Sequence, residues 1–199
     1  MGFRWIELQV GPGVFVPRPE TENVVQWAID HVGPTPVVVD LCAGSGAIAL
    51  SIAHEVPGAT VHAVEIDPGA LMWTRLNCGN HVQVHEGDLA EALHDLDGTV
   101  DVVISNPPYV PSGDRDRLAP EALADPEAAL FGGADGLAVI RVLERAAYRL
   151  LRPGGLVVVE HDDSQGATAP AVFGQGWIDV ADHRDLTGRD RFLTARRLL

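Results

Sequence analysis

The chain has 199 residues, 46% of them hydrophobic, and its 28 acidic and 14 basic residues give a formal net charge of −14. This length and composition are typical of one globular domain, and the charge disfavours nucleic acids and anionic membranes as partners. No apolar run approaches the ~20 residues that a membrane-spanning helix needs. The two cysteines, Cys42 and Cys78, have no metal-type spacing and indicate no disulfide framework, so we expect a reducing cytoplasm and no bound metal.

The first elements predicted along the chain are a short hairpin and a helix. Two apolar segments, Trp5–Val10 and Val14–Val16, flank Gly11-Pro12-Gly13, which is typical of a hairpin with a glycine-rich turn. Pro17–Glu22 then carries a proline and acidic residues suited to the first turn of a helix. An apolar stripe at helical spacing continues to Gly33-Pro34, where we expect this helix to end.

From residue 36 onward, apolar strands alternate with amphipathic helices. This alternation predicts one doubly wound α/β domain over residues 1–199, with a core at 36–199 and the hairpin and helix at 1–35. The predicted strands are 36–41, 60–65, 81–85, 100–105, 156–160, 177–181 and 191–195. The predicted helices are 47–53, 68–76 with Asp67 as N-cap, 137–151, and a short one from Asp163 or Ser164 to Phe173.

A glycine-rich loop, Cys42-Ala43-Gly44-Ser45-Gly46, joins the first core strand to the helix that follows it. In this arrangement a ligand can lie against bare backbone at a helix N-terminus. Glu65 ends the next strand about 20 residues further on, where an acid can accept both hydroxyls of a ribose. The same pattern serves NAD and S-adenosylmethionine, and a tight turn with a solvated strand end is the alternative interpretation.

Three further residues near this loop have weaker claims to a role in binding. Asp40, at the end of the first core strand, either orients the loop or meets a cofactor ammonium group. Asp88 either accepts a hydrogen bond from an adenine amino group or is a surface turn residue. Cys42 is expected to be a small packed residue and not a nucleophile.

The segment Asn106-Pro107-Pro108-Tyr109 follows the strand 100–105 and carries the predicted chemistry. Its two prolines end ladder pairing, so Asn106 should lie at the carboxyl end of a strand, where open α/β sheets bind ligands. The side-chain carbonyl of Asn106 and the backbone carbonyl of Pro107 are two acceptors for the hydrogens of an NH2 group. Tyr109 offers a flat face. The segment therefore predicts a site for a planar nitrogen nucleophile, with an ordinary proline loop as the alternative.

A long stretch without clear periodicity, residues 110–136, follows this segment. Loops of this length inside a compact domain are usually functional or mobile. We expect residues 110–136 to help form the rim of the entry to the site.

Several motifs together resemble the HemK/PrmC family, whose members methylate the side-chain amide of a glutamine in peptide-chain release factors. The Asn-Pro-Pro-Tyr motif also occurs among DNA adenine and RNA guanine methyltransferases, whereas Pro-Arg-Pro-Glu-Thr-Glu and Gly-Gly-x-Asp-Gly-Leu are much more specific. The resemblance covers nearly the whole chain. Its motifs lie, in order, at residues 16–22, 40–47, 65–67, 106–111, 129–137 and 184–191.

The resemblance implies a class I, Rossmann-like fold with a seven-stranded, mostly parallel sheet, helices on both faces and a short N-terminal β-hairpin. It implies S-adenosylmethionine as cofactor, S-adenosylhomocysteine as product, and a release factor as protein partner, with no nucleic acid or membrane. The implied cofactor-binding residues are Asp40, Cys42, Ala43, Gly44, Ser45, Gly46, Glu65, Ile66, Asp88, Leu89 and Asn106. The implied catalytic residues are Asn106, Pro107, Pro108 and Tyr109.

Two departures from the family pattern leave the substrate open. The glycine loop begins with Cys42 where the family usually has glycine. The family also usually carries an N-terminal helical domain that helps to hold the release factor, whereas this chain begins almost at the hairpin, as a fragment or a short relative would. The alternatives are N-methylation of a small-molecule or peptide amide or amine in a biosynthetic pathway, base methylation of a nucleic acid, and a non-enzymatic partner of another methyltransferase.

Overall fold

A computed structural model describes residues 1–120 and 122–199, which form an α/β structure with one large sheet. The strands are β1 Gly2–Phe3, β2 Ile6–Glu7, β3 Val37–Leu41, β4 Thr60–Glu65, β5 Gln83–Glu86, β6 Val100–Ser105, β7 Leu151–Glu160, β8 Trp177–Arg184 and β9 Asp190–Arg197. The helices are α1 Thr21–Asp30, α2 Ala47–Glu55, α3 Pro68–Cys78, α4 Glu127–Leu130 and α5 Ala138–Leu150. Within the described residues, no helix is long and apolar enough to cross a membrane.

The large sheet has seven strands in the order β5-β4-β3-β6-β7-β9-β8. Strands β5, β4, β3, β6 and β7 pair in parallel, and β9 and β8 are antiparallel additions at one side. The predicted seven-stranded, mostly parallel sheet is therefore confirmed. The chain runs outward from β3 to β5 and then returns to β6 on the other side of β3. Ligands bind at such a reversal, outside the carboxyl ends of the strands.

Both faces of the sheet are covered by helices. The central strands are therefore buried on both sides, which explains their continuous apolar sequences. On one face Val24 and Val25 of α1 pack with Ile52 of α2 in one buried cluster. On the other face Ile140 and Leu143 of α5 pack in a second cluster. The neighbouring residues Val38 and Val39 of β3 belong to opposite clusters, as strand alternation requires.

The N-terminal hairpin is present, but the predicted position of its turn is wrong. Strands β1 and β2 pair antiparallel around Arg4-Trp5 and not around Gly11-Pro12-Gly13. The glycine-rich segment packs against α3 instead, where Trp73 Nε1 donates to the Pro12 carbonyl at 3.3 Å. A Cβ on Gly11 would lie 2.6 Å from the Trp73 ring. The glycine at this position therefore allows the backbone to pack closely against α3.

The C-terminal half differs from the predicted boundaries, most clearly in three places. β7 begins at Leu151 and runs through Pro153-Gly154-Gly155, with a register shift against β6 that absorbs the break. Asp162, and not Asp163 or Ser164, caps the next turn, and the predicted helix to Phe173 is two separate 3₁₀ turns. Residues 110–136 are also less irregular than expected, since they contain 3₁₀ turns and α4.

Candidate active site

A cavity of about 310 Å³ lies at the carboxyl ends of β3, β4 and β6, which is within the size range of small-molecule sites. The glycine loop and the residues after β4 form one wall, and the Asn106 segment forms another. The N-terminal segment before α1 closes one remaining side. The other is closed by Leu118, Ala122, Pro126 and residues 128–130. The cavity lies at the predicted edge of the sheet.

The glycine loop has the backbone that its sequence predicts. Gly44 and Gly46 have φ values of +56° and +82°, in the left-handed region that glycine tolerates. A Cβ on Gly46 would lie 2.7 Å from Cys78 Sγ, whereas a Cβ on Gly44 would meet no atom within 4 Å. The loop is thus packed tightly on the protein side at Gly46 and leaves open space at Gly44.

Cys42 occupies the place where the family usually has glycine. It adopts a φ of +62°, which costs a residue with a side chain more than it costs glycine. Its side chain lines the cavity, and burial raises the pKa of the thiol far above its ordinary value, with the nearby Glu65 carboxylate acting in the same direction. The group is therefore a neutral thiol at physiological pH.

Glu65 fastens the loop to the start of α3. Its Oε2 accepts a hydrogen bond from the Gly44 backbone N–H at 2.7 Å, and its Oε1 accepts one from the Asp67 N–H at 2.8 Å. The side chain is nearly buried and lines the cavity. Because an ionised carboxylate has about four acceptor positions, two remain for ligand hydroxyls.

The other predicted cofactor residues divide into those in the cavity wall and those outside it. Ala43, Ser45 and Ile66 line the cavity together with Cys42, Gly44, Glu65 and Asn106. Asp40, Gly46, Asp88 and Leu89 do not line it.

Asp40 and Asp88 each contact the backbone instead. Asp40 is fully buried, and its Oδ2 accepts from the Ala49 N–H of α2 at 3.1 Å. Burial raises the pKa of this carboxyl well above its ordinary value. The hydrogen bond is to α2 and not to the glycine loop, so orientation of the loop by Asp40 stays a prediction. Asp88 accepts from the Ala90 N–H in an exposed turn, and its contact with an adenine group stays a prediction.

Asn106 follows the last residue of β6 and lines the cavity. Its Nδ2 donates to the Thr21 hydroxyl at 3.3 Å. Among the described residues, no donor reaches Asn106 Oδ1 or the Pro107 carbonyl. These two acceptors, which are next to each other in the chain, therefore have no donor among the described residues, and both Asn106 and Pro107 line the cavity.

Tyr109 lines the same cavity, and hydrogen bonds to Glu160 and Gln165 fix its position. Its hydroxyl donates to Glu160 Oε1 at 3.1 Å, and its carbonyl accepts from Gln165 Nε2 at 3.0 Å. Burial raises the pKa of Tyr109 well above its ordinary value, and the adjacent Glu160 carboxylate raises it further. The phenol therefore stays neutral and acts as a fixed surface.

Glu160 is a functional candidate that the sequence analysis missed. It ends β7, beside β6, and is buried. Burial raises its pKa to about 7, while the hydroxyls of Thr21 and Tyr109 and the charge of Arg191 act in the opposite direction. Its position at a strand end gave a signal, but Glu160 is 54 residues from Asn106 in the chain, and only the fold brings them near.

An ion pair over the cavity was also missed. Arg18 Nη2 lies 2.5 Å from Asp125 Oδ2, and the Val16 N–H donates to Asp125 Oδ1 at 3.1 Å. The pair ties the segment before α1 to the segment before α4, and both segments line the cavity. Arg18 lies in a motif that the sequence singled out, but its partner, 107 residues away, carries no local signal.

Comparisons with known proteins identify methyltransferases as relatives of this chain. A family model described as the methyltransferase small domain matches residues 26–140. The chain is 60% identical to the release factor glutamine methyltransferase of Streptomyces coelicolor, over 99% of this chain and 73% of that protein. It is 45% identical to the 4-amino-L-phenylalanine/4-methylamino-L-phenylalanine methyltransferase of Streptomyces pristinaespiralis, over 87% of this chain and 61% of that protein.

Solved structures support the fold. A crystal structure of a methyltransferase from Pyrococcus furiosus superposes with a TM-score of 0.70 at 18% identity, over 96% of this chain and 89% of that chain. This likeness confirms the class I methyltransferase fold that the resemblance implied. With the sequence matches, it follows that this chain belongs to the family of release factor glutamine methyltransferases.

Proposed function

We propose that this protein transfers a methyl group from S-adenosylmethionine to the side-chain amide nitrogen of a glutamine in a peptide-chain release factor. The observation that carries the proposal is the pair of free acceptors, Asn106 Oδ1 and the Pro107 carbonyl, in the wall of a cavity that also contains the glycine loop. A primary amide offers two N–H donors on one nitrogen, which matches two fixed acceptors.

The cavity wall fits a nucleoside cofactor. The space beside Gly44 is open, so a ligand can approach the loop backbone, and Glu65 keeps acceptor positions for ribose hydroxyls. Gly44, Ser45, Glu65 and Ile66 are the residues that would hold the cofactor. When bound, S-adenosylmethionine supplies an electrophilic methyl group on a positively charged sulfur.

The residues of the chain act on the substrate nitrogen by positioning and electrostatics. An amide nitrogen is a poor nucleophile because its lone pair is delocalised into the carbonyl. Acceptors at Asn106 and Pro107 fix the plane of the NH2 group and stabilise the positive charge that develops on it. Since the nitrogen becomes acidic as the new bond forms, a strong general base is not required, and Tyr109 supplies a neutral flat wall.

The charge distribution favours a protein substrate over a nucleic acid. The net charge is −14. Among the described residues that line the cavity, Arg18 is the only basic one, and Asp125 pairs with it. Phosphate recognition depends on basic groups, so the lining offers little for a nucleic-acid backbone.

A second candidate substrate is an aromatic amine, favoured by the 45% identity to the amino-phenylalanine methyltransferase. An arylamine NH2 also presents two donors to the two acceptors. The amide is preferred because the relative with 60% identity is named for a release factor.

The experiment is a competition among substrate classes. The protein is incubated with methyl-labelled S-adenosylmethionine and one of four substrates: a release factor, its Gln→Ala variant in the Gly-Gly-Gln loop, 4-amino-phenylalanine, or total tRNA. We expect label on the wild-type release factor alone. Label on the amine or the tRNA, with the release factor unmodified, would refute the proposal.

A further inference from the structure

The side chain of Asn106 must be turned in one particular way for the proposed function. An amide side chain has a carbonyl oxygen on one side and an NH2 group on the other, and a flip exchanges them. Only the orientation with Oδ1 toward the cavity gives the substrate nitrogen an acceptor. The reverse orientation would place the NH2 of Asn106 against the NH2 of the substrate.

Thr21 selects between these two orientations. Its hydroxyl has one proton, and its oxygen accepts from Asn106 Nδ2 at 3.3 Å. While the Thr21 proton points elsewhere, this oxygen is only an acceptor toward Asn106, and Asn106 must present its NH2 group to Thr21. Oδ1 then faces the cavity. If the Thr21 proton pointed at Asn106, the amide would have to flip.

Glu160 lies where the Thr21 proton needs an acceptor. The Thr21 hydroxyl is beside the Glu160 carboxylate and lowers its pKa. Glu160 Oε1 is occupied by the Tyr109 hydroxyl, whereas Oε2 is buried and has no partner within hydrogen-bond geometry among the described residues. The Thr21 hydroxyl likewise donates to no other described acceptor. Among the described residues, the Thr21 hydroxyl is therefore an unpartnered donor next to the Glu160 carboxylate, and Glu160 Oε2 is an unpartnered buried acceptor. A buried acceptor left unpaired is costly.

We propose that Glu160 is a positioning residue that acts through the Thr21 hydroxyl to hold the carbonyl oxygen of Asn106 toward the substrate amide. The inference rests on the proposed function, since it names the device that orients the acceptor of that reaction. Glu160 does this in its ionised form. Once protonated, Glu160 donates to Thr21, and the Thr21 proton then turns toward Asn106, whose oxygen accepts it only after the amide flips.

The arrangement makes turnover depend on pH. The groups that face Glu160 are Tyr109 from the segment after β6, Thr21 and Glu20 from the start of α1, and Arg191 from β9. Tyr109 stays protonated and Arg191 stays charged over the physiological range. Glu160, whose pKa is raised to about 7 mainly by burial, changes its charge near neutrality.

The test compares three variants with the wild-type protein on a release factor. Glu160→Gln replaces the acceptor oxygen by a donor, Thr21→Val removes the hydroxyl at nearly constant shape, and Thr21→Ser keeps the hydroxyl. At pH 8 we expect kcat to fall about 10–100-fold in the first two and to stay within about threefold in Thr21→Ser, with the affinity for S-adenosylmethionine unchanged by calorimetry. The double variant should lose no more than either single one, because both break one chain of hydrogen bonds.

The pH profile separates positioning from packing. The wild-type kcat should fall below about pH 7, and this acid limb should be absent from Glu160→Gln and Thr21→Val. A wild-type kcat in Glu160→Gln, or an unchanged acid limb in either variant, would overturn the inference.

A second measurement follows the wild-type protein without an activity assay and uses a variant only to assign resonances. The side-chain amide resonances of Asn106 in the wild-type protein, assigned by their loss in Asn106→Ala, are followed by ¹H–¹⁵N NMR from pH 5.5 to 8.5. We expect a titration with its midpoint at about pH 7, and resonances constant across the range would overturn the inference. Failure of the wild-type protein to methylate a release factor would refute the proposed function alone, because this titration would still report on Glu160 and Asn106.

Discussion

Single residues around the cavity act mainly by fixing other groups. Asn106 is held by Thr21, Tyr109 by Glu160, and the Gly44 backbone by Glu65. In each pair, a hydrogen bond to the protein fixes the orientation of a group that lines the cavity. A rigid site of this kind does not have to order its groups when a ligand binds, which favours affinity and turnover.

At this scale we predict that Glu65→Ala weakens S-adenosylmethionine binding by at least about tenfold. The substitution removes the acceptor for ribose hydroxyls and also frees the Gly44 N–H, and hydrogen bonds to charged groups contribute about 1.5–3 kcal/mol each. The measurement is calorimetric titration of the folded variant. Glu86→Ala is a matched control, because Glu86 is paired with Glu65 in the register of β4 and β5 but is exposed. If the two variants bind the cofactor with equal affinity, Glu65 does not contribute to cofactor binding.

Individual elements differ in how far their sequence predicts them. β4 and β6 have the boundaries predicted from their apolar runs, and Asp67 caps α3 as expected, accepting from the Gly69 and Ala70 N–H groups. These signals are local. The hairpin turn was misplaced because Gly11 is used against Trp73, 62 positions away, and no local pattern distinguishes that use of glycine from a turn.

The glycine loop is the element with the strictest requirement on one residue. We predict that Gly46→Ala lowers the free energy of unfolding by about 2–4 kcal/mol, since it combines a left-handed φ with a Cβ 2.7 Å from Cys78 Sγ. Gly98→Ala is the control, because Gly98 has a φ of +70° but open space around it, and it should lose only about 1–2 kcal/mol. Urea unfolding measures both. Equal losses would show that the contact with Cys78 is relieved at little cost.

For the molecule as a whole, the sheet order places the predicted motifs together, although they are far apart in the chain. The strand and helix pattern was enough to predict the sheet, and the strand ends were enough to predict the region of the site. The contacts of Glu160, Arg18 and Asp125 were not predictable, because each joins segments that the sequence gives no reason to pair. The description of residues 1–199 as one domain stays a prediction.

Global stability should depend on pH through Glu160. Its pKa is raised in the folded state from 4.5 to about 7, so its contribution is fully present below pH 4.5 and is lost as the pH rises through 7. Relative to Glu160→Gln, which does not titrate, the wild-type protein should lose roughly 2–3 kcal/mol of unfolding free energy between pH 5 and 8. Urea unfolding of both proteins at the two pH values measures this difference. If the difference in unfolding free energy between the two proteins is the same at both pH values, the pKa of Glu160 is not raised in the folded state.

The acceptors of Asn106 and Pro107 are proposed to serve methylation of a glutamine amide. The decisive experiment is tandem mass spectrometry of a release factor after single turnover with the wild-type protein, with Asn106→Ala and with the exposed control Asn80→Ala. We predict one added methyl group on the side-chain nitrogen of the Gly-Gly-Gln glutamine with the wild-type protein and the control. With Asn106→Ala, the rate should fall at least about 100-fold at unchanged cofactor affinity. A methyl group on any other residue, or full activity of Asn106→Ala, would refute this role of the two acceptors.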